Sequence, residues 1–212
     1  MNNITKLTLI TNRSNIALAD YLLFIEQCAQ AGITALQLRE KNASFSTLKA
    51  FGKALKAILR PFNVPLIIND NIDLAIELDA EGVHLGQTDG CPFTARQRLG
   101  HEKIIGVSID SVDNLLAAND QPIDYVGIGA IFPTLNKPNV TTHWGIEGLQ
   151  TIAPASKHPM IAIGGITESN AASVMLSGAQ GIAVIGAVHD AICPALTLQK
   201  LRTIVDYQGN LS

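Results

Sequence analysis

The sequence predicts a (β/α)8 TIM barrel, an α/β fold, with residues 1–212 forming a single domain. Eight short runs rich in Val, Ile and Leu recur along the chain, and their starts are about 17 to 35 residues apart. Each gap has room for one helix and two short loops, and no linker or low-complexity segment interrupts the series. A doubly wound open sheet has the same alternation, but eight units favour a closed barrel.

The eight strands are predicted from apolar runs with little polar alternation. Strands of a parallel sheet show this pattern because they are covered on both faces. In chain order, the runs are residues 7–11, 35–40, 65–70, 82–86, 104–109, 125–130, 160–165 and 181–186.

The helices are predicted from amphipathic segments between these runs. Apolar residues three or four positions apart form a stripe that packs against the sheet. The clearest stripes are Leu18, Leu22, Ile25 and Ala29 in residues 16–31, and Leu48, Phe51, Leu55 and Ile58 in residues 45–59. The residue after a helix often has a positive φ, which suits glycine. Glycines in such places, shortly before a strand, are Gly32, Gly82, Gly100 and Gly178.

The composition excludes several classes of protein. The chain is 47% apolar and 16% charged, well below the roughly 25% charge of typical soluble domains, so disorder is excluded. No apolar run approaches the ~18 residues of a membrane span, which excludes an integral membrane protein. The formal net charge is −3 and no basic stretch is present, so no nucleic-acid partner is predicted.

The cysteines and the N-terminus predict a reduced, cytoplasmic protein. Cys28, Cys91 and Cys193 are odd in number and form no C-x-x-C pair. The sequence therefore predicts neither disulfides nor a zinc site, and we expect small buried thiols. The N-terminal apolar stretch is too short for the core of a signal peptide. The oligomeric state stays open, and a homo-oligomer is compatible with the sequence.

Polar residues at the predicted strand ends are the candidate site residues. Active sites of this fold lie at the carboxyl ends of the strands, so we expect these residues to converge on one cavity. They are Gln37, Arg39, Glu40 and Lys41 after the second strand, Asn69 and Asp70 after the third, Gln87 and Asp89 after the fourth, Ser108 in the fifth, Thr134, Asn136 and Lys137 after the sixth, and Gly164, Gly165 and Gly186 at the ends of the seventh and eighth.

Asp70 and Asp89 are candidate ligands for Mg²⁺. They end neighbouring strands, whose backbones lie ~4.8 Å apart. Mg²⁺ takes one or two protein carboxylates and completes its shell with water and phosphate oxygens. Alternatively, Asp70 caps the helix that follows and Asp89 shapes a turn with Gly90.

Three cations, Arg39, Lys41 and Lys137, flank the two carboxylates. Arg39 and Gln37 face the same way along their strand, and an inward-facing arginine needs an anionic partner. Together with a metal ion, this charge pattern predicts a diphosphate site.

The glycines that end the last two strands predict a second anion site. In many barrels the loops after these strands bind a monophosphate through backbone N–H groups, and a tight turn without a ligand is the alternative. A diphosphate on one side and a phosphate on the other predict a transfer in which diphosphate leaves and a phosphate-bearing nucleophile attacks. Such a reaction needs charge neutralisation and positioning rather than a strong base.

These motifs, in this order, resemble the thiamine phosphate synthase (thiamine-phosphate pyrophosphorylase) family, which also contains thiazole tautomerases. The resemblance covers nearly the whole chain. It rests on QLREK at 37–41, IIND at 67–70, GVHLGQTD at 82–89, GVS at 106–108, YVGIGAIFPT at 125–134, AIGGI at 162–166 and GIAVI at 181–185.

The resemblance implies an enzyme, a transferase of thiamine biosynthesis. It would join 4-amino-5-hydroxymethyl-2-methylpyrimidine diphosphate to a thiazole phosphate, with Asp70 and Asp89 binding Mg²⁺. The implied catalytic residues are Arg39, Ser108 and Lys137. The implied substrate contacts are Gln37, Arg39, Lys41, Asn69 and Lys137 at the diphosphate, Ser108 at the pyrimidine or diphosphate, and Thr134, Asn136, Gly165, Ile185 and Gly186 at the thiazole phosphate.

Four positions depart from the usual family pattern. Asn136 replaces a threonine, Gly186 a serine, Asn71 an arginine and Asp110 a histidine, and these changes concern substrate affinity more than the reaction. The metal and diphosphate residues are retained, which favours the synthase over a thiazole tautomerase-like enzyme or a non-catalytic phosphate-ligand-binding barrel.

Two further features concern histidines and one loop. His84, inside the fourth strand, is expected to be structural rather than a base, and His101, His158 and His189 are expected near the surface. Residues 133–145 are either a lid that excludes water from a reactive cation or an ordinary exposed loop.

Overall fold

Eight parallel strands close into a barrel in which each strand pairs with its neighbours in chain order. The computed structural model describes residues 6–40, 42–134 and 143–208. The predicted barrel is confirmed, and every predicted run contains a strand, although most runs extend too far at the carboxyl end. The strands are β1 (Leu7–Ile10), β2 (Ala35–Leu38), β3 (Leu66–Asn69), β4 (Gly82–Leu85), β5 (Ile104–Ile109), β6 (Tyr125–Gly129), β7 (Met160–Ile163) and β8 (Gly181–Val184).

Helices connect the strands and cover the outside of the barrel. β8 is followed by a short helix before the last long one, an addition that the sequence pattern did not indicate. The helices are α1 (Leu18–Gln30), α2 (Phe45–Leu59), α3 (Ile72–Glu77), α4 (Pro92–Leu99), α5 (Val112–Ala118), α6 (Gly145–Ile152), α7 (Ala171–Leu176), α8 (Gly186–His189) and α9 (Pro194–Gln208), with short 3-10 turns at Arg60–Phe62 and Ala153–Ala155.

Side-chain caps start several of these helices. The Ser44 hydroxyl accepts the N–H of Thr47 at the start of α2, at 3.2 Å. The Asn71 side chain accepts the N–H of Leu74 at 2.8 Å at the start of α3. Because Asn71 is the cap, the alternative in which Asp70 caps this helix is wrong. An N-terminal cap of this kind satisfies a backbone donor that has no acceptor within the helix.

Glycines end three of the connections as predicted, and the fourth prediction is wrong. Gly32, Gly100 and Gly178 have φ values of 103°, 86° and 101°. Gly82 is instead the first residue of β4, where a Cβ atom would lie 2.4 Å from the carbonyl oxygen of Ile104. Close packing of neighbouring strands, rather than helix termination, therefore requires glycine at that position.

The predicted apolar stripe of α2 is largely confirmed, whereas that of α1 is displaced. Leu18 is exposed, and the buried face of α1 centres on Tyr21, Ile25 and Cys28. The Tyr21 hydroxyl accepts the backbone N–H of Asn12 at 2.9 Å. This hydrogen bond anchors α1 through an aromatic residue. The spacing of aliphatic residues alone does not predict such a contact.

The apolar core has two parts, one on each side of the strands. The larger part lies between the strands and the helices. The smaller part lies inside the barrel and contains Ile10, Tyr125, Ile161 and Ala183. Gly106 on β5 faces the ring of Tyr125, since an added Cβ atom would lie 2.1 Å from Cζ. The absent side chain at Gly106 is thus what lets an aromatic ring fit inside the barrel.

The cysteine prediction is correct for one residue of three. Cys28 is buried, and burial raises the pKa of its thiol to about 12. Cys91 and Cys193 are exposed, and all three are free thiols. Among the described residues, no helix is long and apolar enough to cross a membrane.

Gly106→Ala is expected to lower the free energy of unfolding by about 2 kcal/mol or more, because overpacking a filled interior costs ~1–3 kcal/mol and occasionally more. Urea denaturation measures the change. Gly148→Ala in α6 is the control, since its Cβ atom would lie 3.4 Å from Trp144 and meet nothing closer. We expect the control to be neutral or stabilising, and equal stability of the two variants would refute the packing argument.

Candidate active site

A cavity of about 330 Å³ opens at the carboxyl ends of the barrel strands. Most of the predicted site residues within the described ranges line it, whereas Glu40 and Gln87 do not. The lining residues among them are Gln37, Arg39, Asn69, Asp70, Asp89, Ser108, Thr134, Gly164, Gly165, Ile185 and Gly186. The predicted site residues Lys41, Asn136 and Lys137 lie outside the described residues, as does most of the 133–145 segment.

The floor of the cavity is a hydrogen-bonded group of three side chains. His84 lies between Tyr125 and Ser108, with Nδ1 at 2.9 Å from the Tyr125 hydroxyl and Nε2 at 2.9 Å from the Ser108 hydroxyl. Burial raises the pKa of Tyr125, so this hydroxyl stays protonated. Gly127 gives the imidazole room, because a Cβ atom there would lie 2.9 Å from its Cε1.

This geometry agrees with a structural role for His84. It also gives His84 a second role, which is to orient the hydroxyl of Ser108. Both ring nitrogens have protein partners, which hold the ring in place between two strands. The ring nevertheless lines the cavity, and its bond to Ser108 fixes the direction of a hydroxyl that a ligand would meet. A histidine within an apolar strand gave no sign of this second role.

Arg39 and Gln37 form the wall of the cavity at β2. Gln37 is buried and Arg39 is half-buried, and both side chains line the cavity as the alternation of the strand predicts. The backbone N–H of Arg39 donates to the hydroxyl of Thr11 at 2.9 Å, which fixes the start of this loop. Within the described parts of the chain, the guanidinium forms no salt bridge. A half-buried cation in this situation favours an anionic ligand.

Asp70 and Asp89 lie at the mouth of the cavity and are both exposed. Asp70 follows β3 with a φ of 64°, a left-handed conformation that aspartate tolerates better than most residues. Its backbone N–H donates to the carbonyl of His84 at 2.8 Å, which ties the end of β3 to β4. The fold therefore holds this carboxylate in place through the backbone.

Asp89 has a role in the turn after β4, and its role as a metal ligand stays a prediction. One carboxylate oxygen accepts the N–H of Gly86 at 3.0 Å, which closes the turn after β4. The residue also lines the cavity. No group of three or more His, Cys, Asp or Glu side chains that could hold a metal is found among the described residues. A cation here would thus depend on two carboxylates and on oxygens from water or a ligand, a donor set typical of Mg²⁺.

The glycines at the end of β7 are required by the backbone itself. Gly164 and Gly165 have φ values of 99° and 65°, and a Cβ atom at Gly165 would lie 2.7 Å from the Cβ of Phe132. The N–H of Phe132 donates to the carbonyl of Gly164 at 3.0 Å. The segment after β6 therefore packs directly on these glycines. Their phosphate contact stays a prediction, and their conformation has a separate structural cause.

Three of the four departures from the family pattern are located by the structure. Asn71 caps α3, as described above. Asp110 accepts a hydrogen bond from the side chain of Asn114 and does not line the cavity. The backbone of Gly186 lines the cavity, and Asn136 lies outside the described residues.

The inner side of the barrel contributes cavity residues that were not predicted from the sequence. Several residues line the cavity from within the strands, below the loops at the strand ends. The signal was available, because residues that alternate with outward-facing ones in a barrel strand point inward. These lining residues include Thr8, Ile10, Tyr125, Ile161, Ile163 and Ala183.

Comparison with known proteins gives consistent matches over nearly the whole chain. A family model described as thiamine monophosphate synthase matches residues 7–188. A thiamine-phosphate synthase of Chlamydia caviae is 52% identical over 201 residues, which cover 95% of each chain. Another, of Vibrio parahaemolyticus, is 40% identical over 182 residues, covering 86% of this chain and 89% of the relative. The solved structure of a thiamine phosphate pyrophosphorylase from Pyrococcus furiosus has a TM-score of 0.87 and 34% identity, with 97% and 98% of the two chains covered.

Tyr125→Phe is expected to lower the free energy of unfolding by about 1–3 kcal/mol, the cost of leaving a buried polar partner unsatisfied. The variant removes only the hydroxyl, so Nδ1 of His84 loses its partner while the ring still fills the barrel. Tyr207→Phe on the exposed side of α9 is the matched control. Urea denaturation of both variants checks the prediction, which is wrong if the two unfold at the same concentration.

Proposed function

The chain belongs to the thiamine monophosphate synthase family, and on this premise we propose that it condenses 4-amino-5-hydroxymethyl-2-methylpyrimidine diphosphate with a thiazole phosphate. The products are thiamine phosphate and diphosphate. The observation that supports this most directly is the single cavity itself. It combines a cation and two carboxylates on the β2–β4 side with glycine-rich strand ends at β7 and β8.

The β2–β4 side is the proposed diphosphate site. Arg39 offers a guanidinium with no salt bridge in the described part of the chain, and Gln37 and Asn69 add amide groups to the same wall. Lys41 and Lys137 are expected to add charge to this site. Charge-assisted hydrogen bonds of this kind are the stronger class, and they suit the developing charge of a leaving diphosphate.

We propose that Asp70 and Asp89 bind Mg²⁺ together with the diphosphate. The donor set fits the ion, because both carboxylates are exposed at the mouth and leave room for water and phosphate oxygens. When bound, the ion would neutralise negative charge on the leaving group. The turn that Asp89 closes with Gly86 holds this carboxylate in position before any ligand arrives.

The proposed reaction breaks a C–O bond and forms a C–N bond. The diphosphate leaves with the electron pair of the C–O bond, and the thiazole nitrogen supplies the pair of the new bond to the pyrimidine methylene carbon. The chain contributes positioning rather than a nucleophile. Ser108, held by His84, lines the cavity and is the proposed contact for the pyrimidine. Ile161 and Ile163 line the same cavity, and their apolar side chains would keep water from a cationic intermediate.

The β7–β8 side is the proposed site of the thiazole phosphate. Thr134, Gly165, Ile185 and Gly186 line this side of the cavity, and Asn136 is expected to join them. Glycines leave backbone N–H groups accessible to phosphate oxygens.

We place this activity in the cytoplasm, which agrees with three free thiols at Cys28, Cys91 and Cys193.

Incubation with both substrates and Mg²⁺ is expected to release diphosphate, and a chelator is expected to stop the release. A coupled diphosphate assay measures the rate, and mass spectrometry identifies thiamine phosphate. Substrate binding without turnover would indicate a phosphate-ligand-binding barrel. Isomerisation of the thiazole alone would indicate a tautomerase. Either result contradicts the proposed synthase.

Asp89→Ala is expected to abolish turnover without unfolding the barrel, since it removes one of the two proposed metal ligands. Asp89→Asn separates the charge from the turn, because its amide oxygen can still accept the N–H of Gly86. We therefore expect Asp89→Asn to be folded and at least a hundredfold slower, on the order of the effect of losing one electrostatic group in an active site. The control is Asp113→Asn, which changes an exposed carboxylate in α5. Full activity of Asp89→Asn would contradict the metal role.

A further inference from the structure

A chain of hydrogen bonds runs behind the cavity from β2 to the end of β8. A carboxylate oxygen of Glu40 accepts the backbone N–H of Arg13 at 3.0 Å. The neighbouring N–H, of Asn12, donates to the hydroxyl of Tyr21 at 2.9 Å. That hydroxyl lies 2.8 Å from Nε2 of His189, and Nδ1 of His189 lies 2.9 Å from the carbonyl oxygen of Ile185. Neither Tyr21 nor His189 lines the cavity.

The direction of each hydrogen bond in this chain follows from chemistry. The carbonyl of Ile185 can only accept, so Nδ1 of His189 has the proton and Nε2 is the acceptor. The Tyr21 hydroxyl then donates to Nε2 and accepts from Asn12. Tyr21 is fully buried, and its ring lies 5.9 Å from the imidazole at an interplanar angle of 19°. Burial also lowers the pKa of His189, which favours the neutral ring that this arrangement requires.

His189 fixes the orientation of a peptide unit that faces the cavity. The carbonyl of Ile185 accepts the N–H groups of Val188 and His189, each at 3.1 Å, in addition to the imidazole. In a planar trans peptide unit the carbonyl and the following N–H point in opposite directions. Holding the Ile185 carbonyl against α8 therefore turns the N–H of Gly186 away from α8. Gly186 lines the cavity and has no side chain, so this backbone group is the donor that it can offer.

We propose that Tyr21 and His189 are positioning residues for the phosphate-bearing substrate. They act from behind the cavity wall, by fixing the peptide unit between Ile185 and Gly186. The inference rests on the proposed function, which assigns the end of β8 to the thiazole phosphate. The inference assigns a role in that reaction to two residues that do not line the cavity.

The same arrangement predicts a dependence on pH. A proton on Nε2 of His189 removes the acceptor of the Tyr21 hydroxyl, so the two groups can no longer bond as they do. The charged groups that act on the pair are Glu40 and Asp190 at His189, and Glu40 and Arg13 at Tyr21. Because the pKa of His189 is lower in the folded protein, the unfolded chain binds more protons as the pH falls below about 6.5. The free energy of unfolding therefore falls as the pH falls below that value.

The test compares the KM values of the two substrates in variants of this pair. Tyr21→Phe and His189→Leu are each expected to raise the KM of the thiazole phosphate about tenfold, which is the factor of one ordinary hydrogen bond. The KM of the pyrimidine diphosphate should stay within about twofold, since its site lies across the cavity. His189→Asn can place a donor near the position of Nδ1, so we expect it to restore part of the affinity. In the double variant, the KM of the thiazole phosphate should rise little more than in either single variant, because both substitutions remove the same hydrogen bond.

The controls separate this inference from the proposed function and from simple unfolding. Tyr207→Phe and His101→Gln change exposed residues of the same types, and circular dichroism verifies that every variant is folded. Wild-type protein without diphosphate release would reject the proposed function. Calorimetric binding of inorganic phosphate to wild type and variants would then still test the pair. A folded Tyr21→Phe or His189→Leu variant with unchanged affinity, or with both KM values raised equally, overturns the positioning role.

The pH dependence supplies a second readout. In wild type, the KM of the thiazole phosphate should rise only as the pH falls through the lowered pKa of His189, which lies below the ordinary value of about 6.5. The substrate phosphate titrates in the same range, so the relevant quantity is the difference between wild type and His189→Leu. The ratio of their KM values is expected to shrink at low pH. A constant ratio across the range contradicts the role of the neutral imidazole.

Discussion

The volume inside the barrel is the constraint on which the rest of the structure depends. Eight parallel strands enclose a space that side chains must fill, and its width is set by the number and tilt of the strands. Tyr125 fits into the lower part because Gly106 has no side chain, and His84 fits beside Gly127. The cavity is the space left above these two rings. The residues that complete the inner core are therefore also those that form the floor of the site.

In the proposed reaction, the two walls above this floor would bind anions by different means. On the β2 side, Arg39 lines the cavity with a full charge, and Asp70 and Asp89 present oxygen atoms that could bind a cation. On the β7–β8 side, glycines bring the backbone itself to the surface of the cavity. A formal net charge of −3 is compatible with the proposed binding of two phosphate groups, because the field within a cleft depends on local charges more than on the total. Because the two walls are separate, we expect that a variant can weaken the binding of one substrate without weakening that of the other.

The sequence predicted the barrel and most of the cavity wall because both depend on local patterns. Strands buried on both faces are apolar throughout, and polar residues at their carboxyl ends converge once the sheet closes. What the sequence could not predict depends on pairs that are far apart in the chain. Tyr21 and His189 are 168 residues apart, so His189 was expected near the surface and the buried stripe of α1 was misplaced. Gly82 was misassigned for a similar reason, since its close contact is with Ile104 on another strand.

Gly164 and Gly165 illustrate how a residue can be diagnostic of a fold without being diagnostic of an activity. Their positive φ values and the close approach of Phe132 exclude larger residues regardless of any ligand. A descendant of this protein that had lost its reaction would keep both glycines as long as it kept the barrel. Genome annotation that counts them as active-site matches would therefore overestimate the number of working enzymes. Arg39 and Asp89 are better markers of the proposed activity, because the fold depends less on the charges of their side chains.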